Sequence, residues 1–214
     1  MTYYHKYLTI ESMQYDKQRI LVGICAYNNF PPETVASLLS LYRNSKSPMQ
    51  IRIEPYTYIH VARTNLLHEA VEENATHLMF IDSDMVFSYD AVDKLVSQEK
   101  DIIGGLYKKR IEPHDPVIKI IDKGKLIQPP DERGTTFQVD VAGTGFLLIN
   151  MNVFKKMEPP FFYHGHGEDF GLKANDLYDL GEDVTFCLKA RASGFDIFVD
   201  PTLEIGHISQ KIIK

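Results

Sequence analysis

The chain has no tryptophan and only two cysteines in 214 residues. Cys25 and Cys187 lie in apolar surroundings without metal or redox spacing. That excludes a disulfide scaffold or a thiolate metal cluster, and both are expected to be reduced core residues. Basic charge is also scarce: 23 Lys and Arg stand against 29 Asp and Glu, a formal charge of −6. A general nucleic-acid binder is thereby excluded, because no broad positive field is available to meet a phosphate backbone. No apolar run approaches the ~20 residues of a membrane span, and Met1-Thr2-Tyr3-Tyr4-His5-Lys6 does not read as a signal peptide. A soluble, cytoplasmic protein without a membrane span is expected. Internal repeats and low-complexity tracts are missing too. The composition, 44% hydrophobic and 24% charged, fits one domain over residues 1–214, with the ending Lys211-Ile212-Ile213-Lys214 leaving room for a longer polypeptide.

Against these absences one stretch stands out. Leu78-Met79-Phe80-Ile81 is an unbroken apolar run, as expected of a strand buried on both faces. It ends in Asp82-Ser83-Asp84. In an open α/β sheet the ligand lies beyond the carboxyl ends of the strands, so both acids are predicted at that crevice. Two carboxylates so close repel unless a cation shares them, and Mn²⁺ or Mg²⁺, hard ions that prefer oxygen ligands, would suit a phosphate-bearing substrate. An acidic turn after a strand is the plain alternative.

The surrounding pattern is β-α-β-α-β. A strand over 20–26 breaks at Tyr27 to Pro32. A helix follows with Val35, Leu38, Leu39 and Tyr42 on one face; 49–58 is extended; and 61–74 is a helix buried through Ala62, Leu66, Leu67, Ala70 and Val71. After the central strand, Ser88 is predicted to cap a short helix over 89–97, and 101–107 is a further strand. Residues 108–136, with Lys108-Lys109-Arg110 and a hairpin around Asp122-Lys123-Gly124, read as a small antiparallel excursion. Strands over 138–142 and 146–150 flank Gly143-Thr144-Gly145, and Asn150 can cap a helix through Met157. A long functional loop is expected over 158–180, where His164, His166, Glu168 and Asp169 read as an acceptor-side lid rather than a zinc site. A last helix runs from Glu182 to Gly194 with Val184, Cys187, Leu188 and Arg191 inward, followed by a strand over 195–199 and by His207. Glu182 and Asp183 suit a helix N-terminus by charge alone, and equally an active-site edge.

Taken in order, Ala26-Tyr27-Asn28, Ala62-Arg63-Thr64-Asn65, Phe80-Ile81-Asp82-Ser83-Asp84, Gly143-Thr144-Gly145-Phe146, Gly181-Glu182-Asp183 and His207 resemble the GT-A glycosyltransferases. The likeness spans Ile20 to His207. Its compactness is similar to small bacterial, phage and large-DNA-virus members such as those of chlorella viruses. The resemblance implies a Rossmann-like, mostly parallel α/β sheet flanked by helices, with a nucleotide-binding half over about 20–107 and an acceptor-side half over about 108–207. It implies transfer of a sugar from a nucleotide sugar, a UDP-sugar foremost, to a glycan or glycoprotein hydroxyl. Ala26, Tyr27, Asn28, Arg63, Asn65, Asp82 and Ser83 would bind the nucleotide, and Gly143, Thr144 and Gly145 the donor sugar. Asp82, Asp84 and His207 would hold Mn²⁺ or Mg²⁺. Asp183, with Glu182, would serve as the acceptor base in an inverting enzyme. However, the chain lacks the Arg-Trp motif that follows in the common inverting pattern, which leaves the stereochemistry open.

Two rivals remain at this stage. A haloacid-dehalogenase-type phosphatase also carries Asp-x-Asp after an apolar strand, with the first Asp as nucleophile, but it expects the motif near the start of its core. A sugar-binding module without catalysis would keep the cleft and lose the chemistry.

Overall fold

The computed structural model describes residues 18–27, 30–129, 134–173 and 179–209. Asn28, expected at the nucleobase, lies outside them.

Strand β1 (Ile20–Ala26) is buried at every residue. It pairs in parallel with β2 (Met49–Pro55) on one side and β3 (His77–Asp82) on the other. Between them run helix α1 (Pro32–Asn44) and helix α2 (Ile59–Glu72). Pro32 in the first turn of α1 donates no N–H that the helix could use, which suits it to start there. The α1 face differs from the predicted stripe: Leu39 and Tyr42 are exposed, and Thr34, Ser37, Leu38 and Leu41 are buried. The small inward residues let the helix seat closely on its neighbours, and the Ser37 hydroxyl accepts the Phe87 N–H at 3.3 Å. Hydrophobic spacing alone does not reveal such a contact.

Beyond β3 come β4 (Met85–Phe87), helix α3 (Ala91–Val96) and β5 (Ile102–Gly105). Helix α3 starts after Asp90, not Ser88. The Ser88 hydroxyl donates to the Asp90 carboxylate at 2.8 Å instead of capping the backbone. The antiparallel excursion consists of β6 (Ile118–Asp122) and β7 (Lys125–Ile127), joined by β9 (Val141–Ala142). Thus the strand expected over 138–142 is two strands: β8 (Phe137–Val139) joins the large sheet and β9 the small one. Strand β10 (Phe146–Asn150) leads into α4 (Met151–Lys156), whose first turn is capped by Asn150 accepting from Asn152 N–H at 2.9 Å. The long loop carries β11 (Gly165–His166) paired with β12 (Asp179–Leu180). Helix α5 (Glu182–Ala192), β13 (Ile197–Asp200) and β14 (Ile205–His207) follow. The α5 interior differs from the predicted face: Val184 and Arg191 are only half-buried, and Thr185, Phe186 and Ala190 are buried beside Cys187 and Leu188.

Among the described residues the main sheet has seven strands in the order β2-β1-β3-β10-β5-β13-β8, five running one way and β10 and β8 reversed. Alternation along β3 shows the layering: Leu78 and Phe80 join the core that holds Leu66 and Phe186, whereas Met79 and Ile81 join the one that holds Leu38 and Leu95. Helices therefore cover both faces. This leaves the strand ends, where loops replace helices, as the accessible edge.

Candidate functional site

At the carboxyl ends of β1 and β3 lies a cleft of about 410 Å³ lined by Ala26, Tyr27, Tyr58, Ser83, Asp84 and Arg110, among others. The β1 end is fixed by Tyr56 N–H, which donates to the carbonyls of Ala26 and Tyr27. Tyr27 and Tyr58 stand exposed on the rim. Asp82, Ser83 and His207 also face the cleft.

Asp84 and His207 meet because of strand pairing. Strand β14 runs antiparallel to β4, setting His207 opposite Met85, and Ile208 N–H closes the ladder onto the Asp84 carbonyl at 2.8 Å. His207 Nε2 thereby lies 3.3 Å from Asp84 Oδ1. Its Nδ1 is 3.0 Å from the Lys108 carbonyl, an acceptor that requires Nδ1 to carry a proton. Nε2 then faces a carboxylate and needs a proton or a cation between them. Burial lowers the imidazole pKa, but the Asp84 hydrogen bond, the Lys108 carbonyl and the Asp84 charge outweigh it and raise it above the ordinary value. Burial pushes the Asp84 carboxyl upward, yet His207 and Arg110 together hold it below the usual range. Arg110 Nη1 donates to Asp84 Oδ2 at 2.7 Å.

Asp82 lines the same cleft but has a different partner. Its Oδ1 is 3.2 Å from Arg63 Nη2. Arg63, on α2, is buried, lies over the Phe80 ring, and pairs through Nη1 with buried Glu182 at the start of α5. Its Nε has no hydrogen-bond partner among the described residues. Burial raises the Asp82 pKa more than Arg63 lowers it, and Asp84 adds to the rise. The three predicted metal ligands therefore divide into a pair, Asp84 and His207, and an Asp82 tied to Arg63. Among the described residues no three His, Cys, Asp or Glu side chains converge on one point. A carboxylate oxygen and an imidazole nitrogen 3.3 Å apart nonetheless suit one divalent ion, with the Lys108 carbonyl orienting the ring as outer-shell acceptors do.

The other predicted residues are placed as follows. Asn65 donates to Glu54 at 2.7 Å and is not among the residues that line the cleft. Gly143, Thr144 and Gly145 lie buried behind Asp82, and the Thr144 hydroxyl has no partner among the described residues. Tyr107, unremarked in the sequence, organises that turn: its hydroxyl accepts the Gly145 N–H at 2.9 Å, and its ring meets His207 edge-on. Burial holds the phenol far above its ordinary pKa. A Cβ on Gly145 would lie 2.6 Å from the Tyr107 oxygen and 2.8 Å from Asp82 Oδ2. Gly145 is thus required by close approach, and the Gly145 carbonyl in turn accepts the Asp82 N–H at 2.9 Å. Tyr107→Phe is expected to destabilise the protein by about 1–3 kcal/mol through the orphaned N–H. An unchanged urea midpoint would show that the turn does not depend on the phenol. Asp183 is half-buried and accepts the Val184 N–H at 2.7 Å. Both cysteines are unpaired and buried, with burial pushing their thiols up to about 12, so neither supplies a thiolate.

No protein-family model matches the sequence, and neither does any curated protein. Solved structures do match. A197 from STIV aligns at 16% identity and TM-score 0.63, over 90% of this chain and 86% of that one. GalNAc-T7, solved with UDP, GalNAc and Mn²⁺, aligns at 12% identity and TM-score 0.57, over 91% of this chain but 44% of its own. The chain accordingly has the Rossmann-like GT-A fold: a large, mostly parallel sheet between helices, with small antiparallel additions. No helix among the described residues is long and apolar enough to cross a membrane.

Proposed function

We propose that this protein is a glycosyltransferase that takes a sugar from a nucleoside-diphosphate sugar, a UDP-sugar foremost, and gives it to a hydroxyl of a glycan or glycoprotein. The observation that carries this reading is the Asp84–His207 pair at the edge of a cleft at the ends of β1 and β3 in a GT-A fold. GalNAc-T7, of the same fold, is described with UDP and Mn²⁺.

The rim tyrosines offer flat apolar faces for a nucleobase, and Ser83, which also lines the cleft, would meet the ribose. Asp84 and His207 would hold Mn²⁺ or Mg²⁺. Such an ion, when bound, neutralises charge on a diphosphate leaving group. Arg63 keeps Asp82 oriented at the same edge. Glu182 is committed to Arg63, so of the Glu182–Asp183 pair Asp183 is the carboxylate left to take a proton from an acceptor hydroxyl. The position of Asp82 at the end of β3, after β1, α1, β2 and α2 rather than near the start of the core, weighs against the phosphatase alternative.

Thermal unfolding with UDP, GDP and CDP, each with Mn²⁺ and with EDTA, tests the reading. A nucleotide at ~100 times its Kd stabilises the folded state by about 2.7 kcal/mol. One diphosphate is expected to raise the midpoint in Mn²⁺ and to do so weakly in EDTA. If none does in either condition, the reading fails. Release of UDP from a UDP-sugar then separates an enzyme from a binding module.

A further inference from the structure

A second pocket, about 510 Å³, adjoins the first and shares Arg110 and His207 with it. Its floor is apolar, from Leu106, Pro201 and Ile205, and its rim carries Lys108, Lys109, Arg110 and His114. Among the described residues no carboxylate lines it. The loop's own acids, Glu112 and Asp115, lie outside the lining, and Asp84 already faces Arg110 and His207. Among the described residues neither Lys108 nor Lys109 has an ion-pair partner, and both are exposed. A chain with a net charge of −6 thus gathers cations around one concavity.

The loop that carries them is tied at its base. Lys108 bridges Pro116, Lys109 N–H donates to the Asp115 carbonyl at 2.9 Å, and Val117 N–H to the Tyr107 carbonyl at 3.0 Å. His114 is held inside the loop, its N–H donating to the Ile111 carbonyl at 3.0 Å and its Nδ1 lying 2.9 Å from the Lys109 carbonyl. Lys108 and Lys109 are therefore held at the pocket by backbone hydrogen bonds rather than by acidic neighbours. Their charge is left for a ligand.

We propose that this pocket binds a phosphate group, delivered beside Asp84 and His207 either by a phosphorylated acceptor or by the diphosphate of the donor. The volume lies in the range of small-molecule sites, and the apolar floor would take the stem that carries the phosphate. The pocket stands on its own charges and does not depend on the nucleotide reading.

Calorimetric titration of the full chain with inorganic pyrophosphate in EDTA tests it, alongside the double variant Lys108→Gln/Lys109→Gln. Both side chains are exposed, and circular dichroism checks that the variant is folded. The wild type is expected to bind, with affinity falling as salt rises, and the variant to bind at least about fivefold more weakly. Equal affinity in the two proteins, or no binding by the wild type, overturns the proposal. Repeating the titration at saturating UDP separates the sources. Pyrophosphate that still binds assigns the pocket to an acceptor phosphate, and pyrophosphate that is displaced assigns it to the donor diphosphate. If UDP does not bind while pyrophosphate does, the nucleotide reading falls and the phosphate pocket stands.

Discussion

Replacing Arg63 by methionine is expected to destabilise the protein by about 3–5 kcal/mol, read from the midpoint of urea unfolding. The guanidinium is buried between Asp82 and Glu182. Removing it leaves buried Glu182 and largely enclosed Asp82 without their shared counter-charge, whereas methionine keeps the volume and the contact with Phe80. Removing a second partner as well, in Arg63→Met/Glu182→Gln, should recover part of the loss, because an uncompensated charge costs more than an absent pair. The pH dependence has a definite sign. Burial already sets the Asp82 pKa above its ordinary value, with Arg63 pulling it down. Between the ordinary and the folded value the folded chain holds more protons than the unfolded one, so this group's contribution falls as pH rises through that window. Without Arg63 the upper end of the window moves higher. The variant should therefore lose more stability near neutral pH than in mild acid. A destabilisation that is equal at both, or larger in acid, would refute the role given to Asp82.

Asp84→Ala is expected to lower Mn²⁺-supported UDP affinity by on the order of 100-fold, since outer-shell changes alone cost 10–100-fold. The expectation rests on the proposed nucleotide site. It has an internal control: in EDTA the variant should bind UDP no more weakly than the wild type, because Arg110 is released from its 2.7 Å contact with Asp84 and becomes available to phosphate. Calorimetry in the two conditions reads both effects. An affinity that falls equally with and without Mn²⁺ would mean that Asp84 shapes the cleft and holds no ion. Asp84→Asn, which keeps the size of the side chain, separates those two roles further.

Much of the frame is legible from local chemistry. The span of β1, the carboxylates closing β3 and the Asn150 cap each announce themselves within a few residues, through an apolar run, a charge break or a cap. The site is less so. Arg63 and Glu182 pair across 119 positions, and neither neighbourhood signals the other; Glu182 reads as a base candidate or a helix-dipole residue until the partner is seen. Arg110 and Tyr107 are hidden for the same reason. The first sits in what reads as a rim excursion, the second at the end of an ordinary strand, and only the fold brings them to Asp84 and Gly145. The inward face of α1 is read only at Leu38, because Thr34 and Ser37 take inward positions where periodicity looks for apolar residues, which shifts the apparent stripe away from Leu41.

Strand β10, reversed between β3 and β5, has a consequence for synthesis. The neighbours that complete β3 and β5 come from residues 146–150, well after both strands have left the ribosome. Until then β3 keeps one hydrogen-bonding edge open, and β5 has no place in the sheet, because its other neighbour, β13, comes later still. A nascent chain that stops short of Phe146 therefore displays the apolar run Leu78 to Ile81 along an unpaired edge, the kind of surface that recruits other strands. The Gly143–Gly145 turn and the strand that covers the open edge of β3 arrive in the same few residues, so the backing of Asp82 and the protection of its strand are completed together.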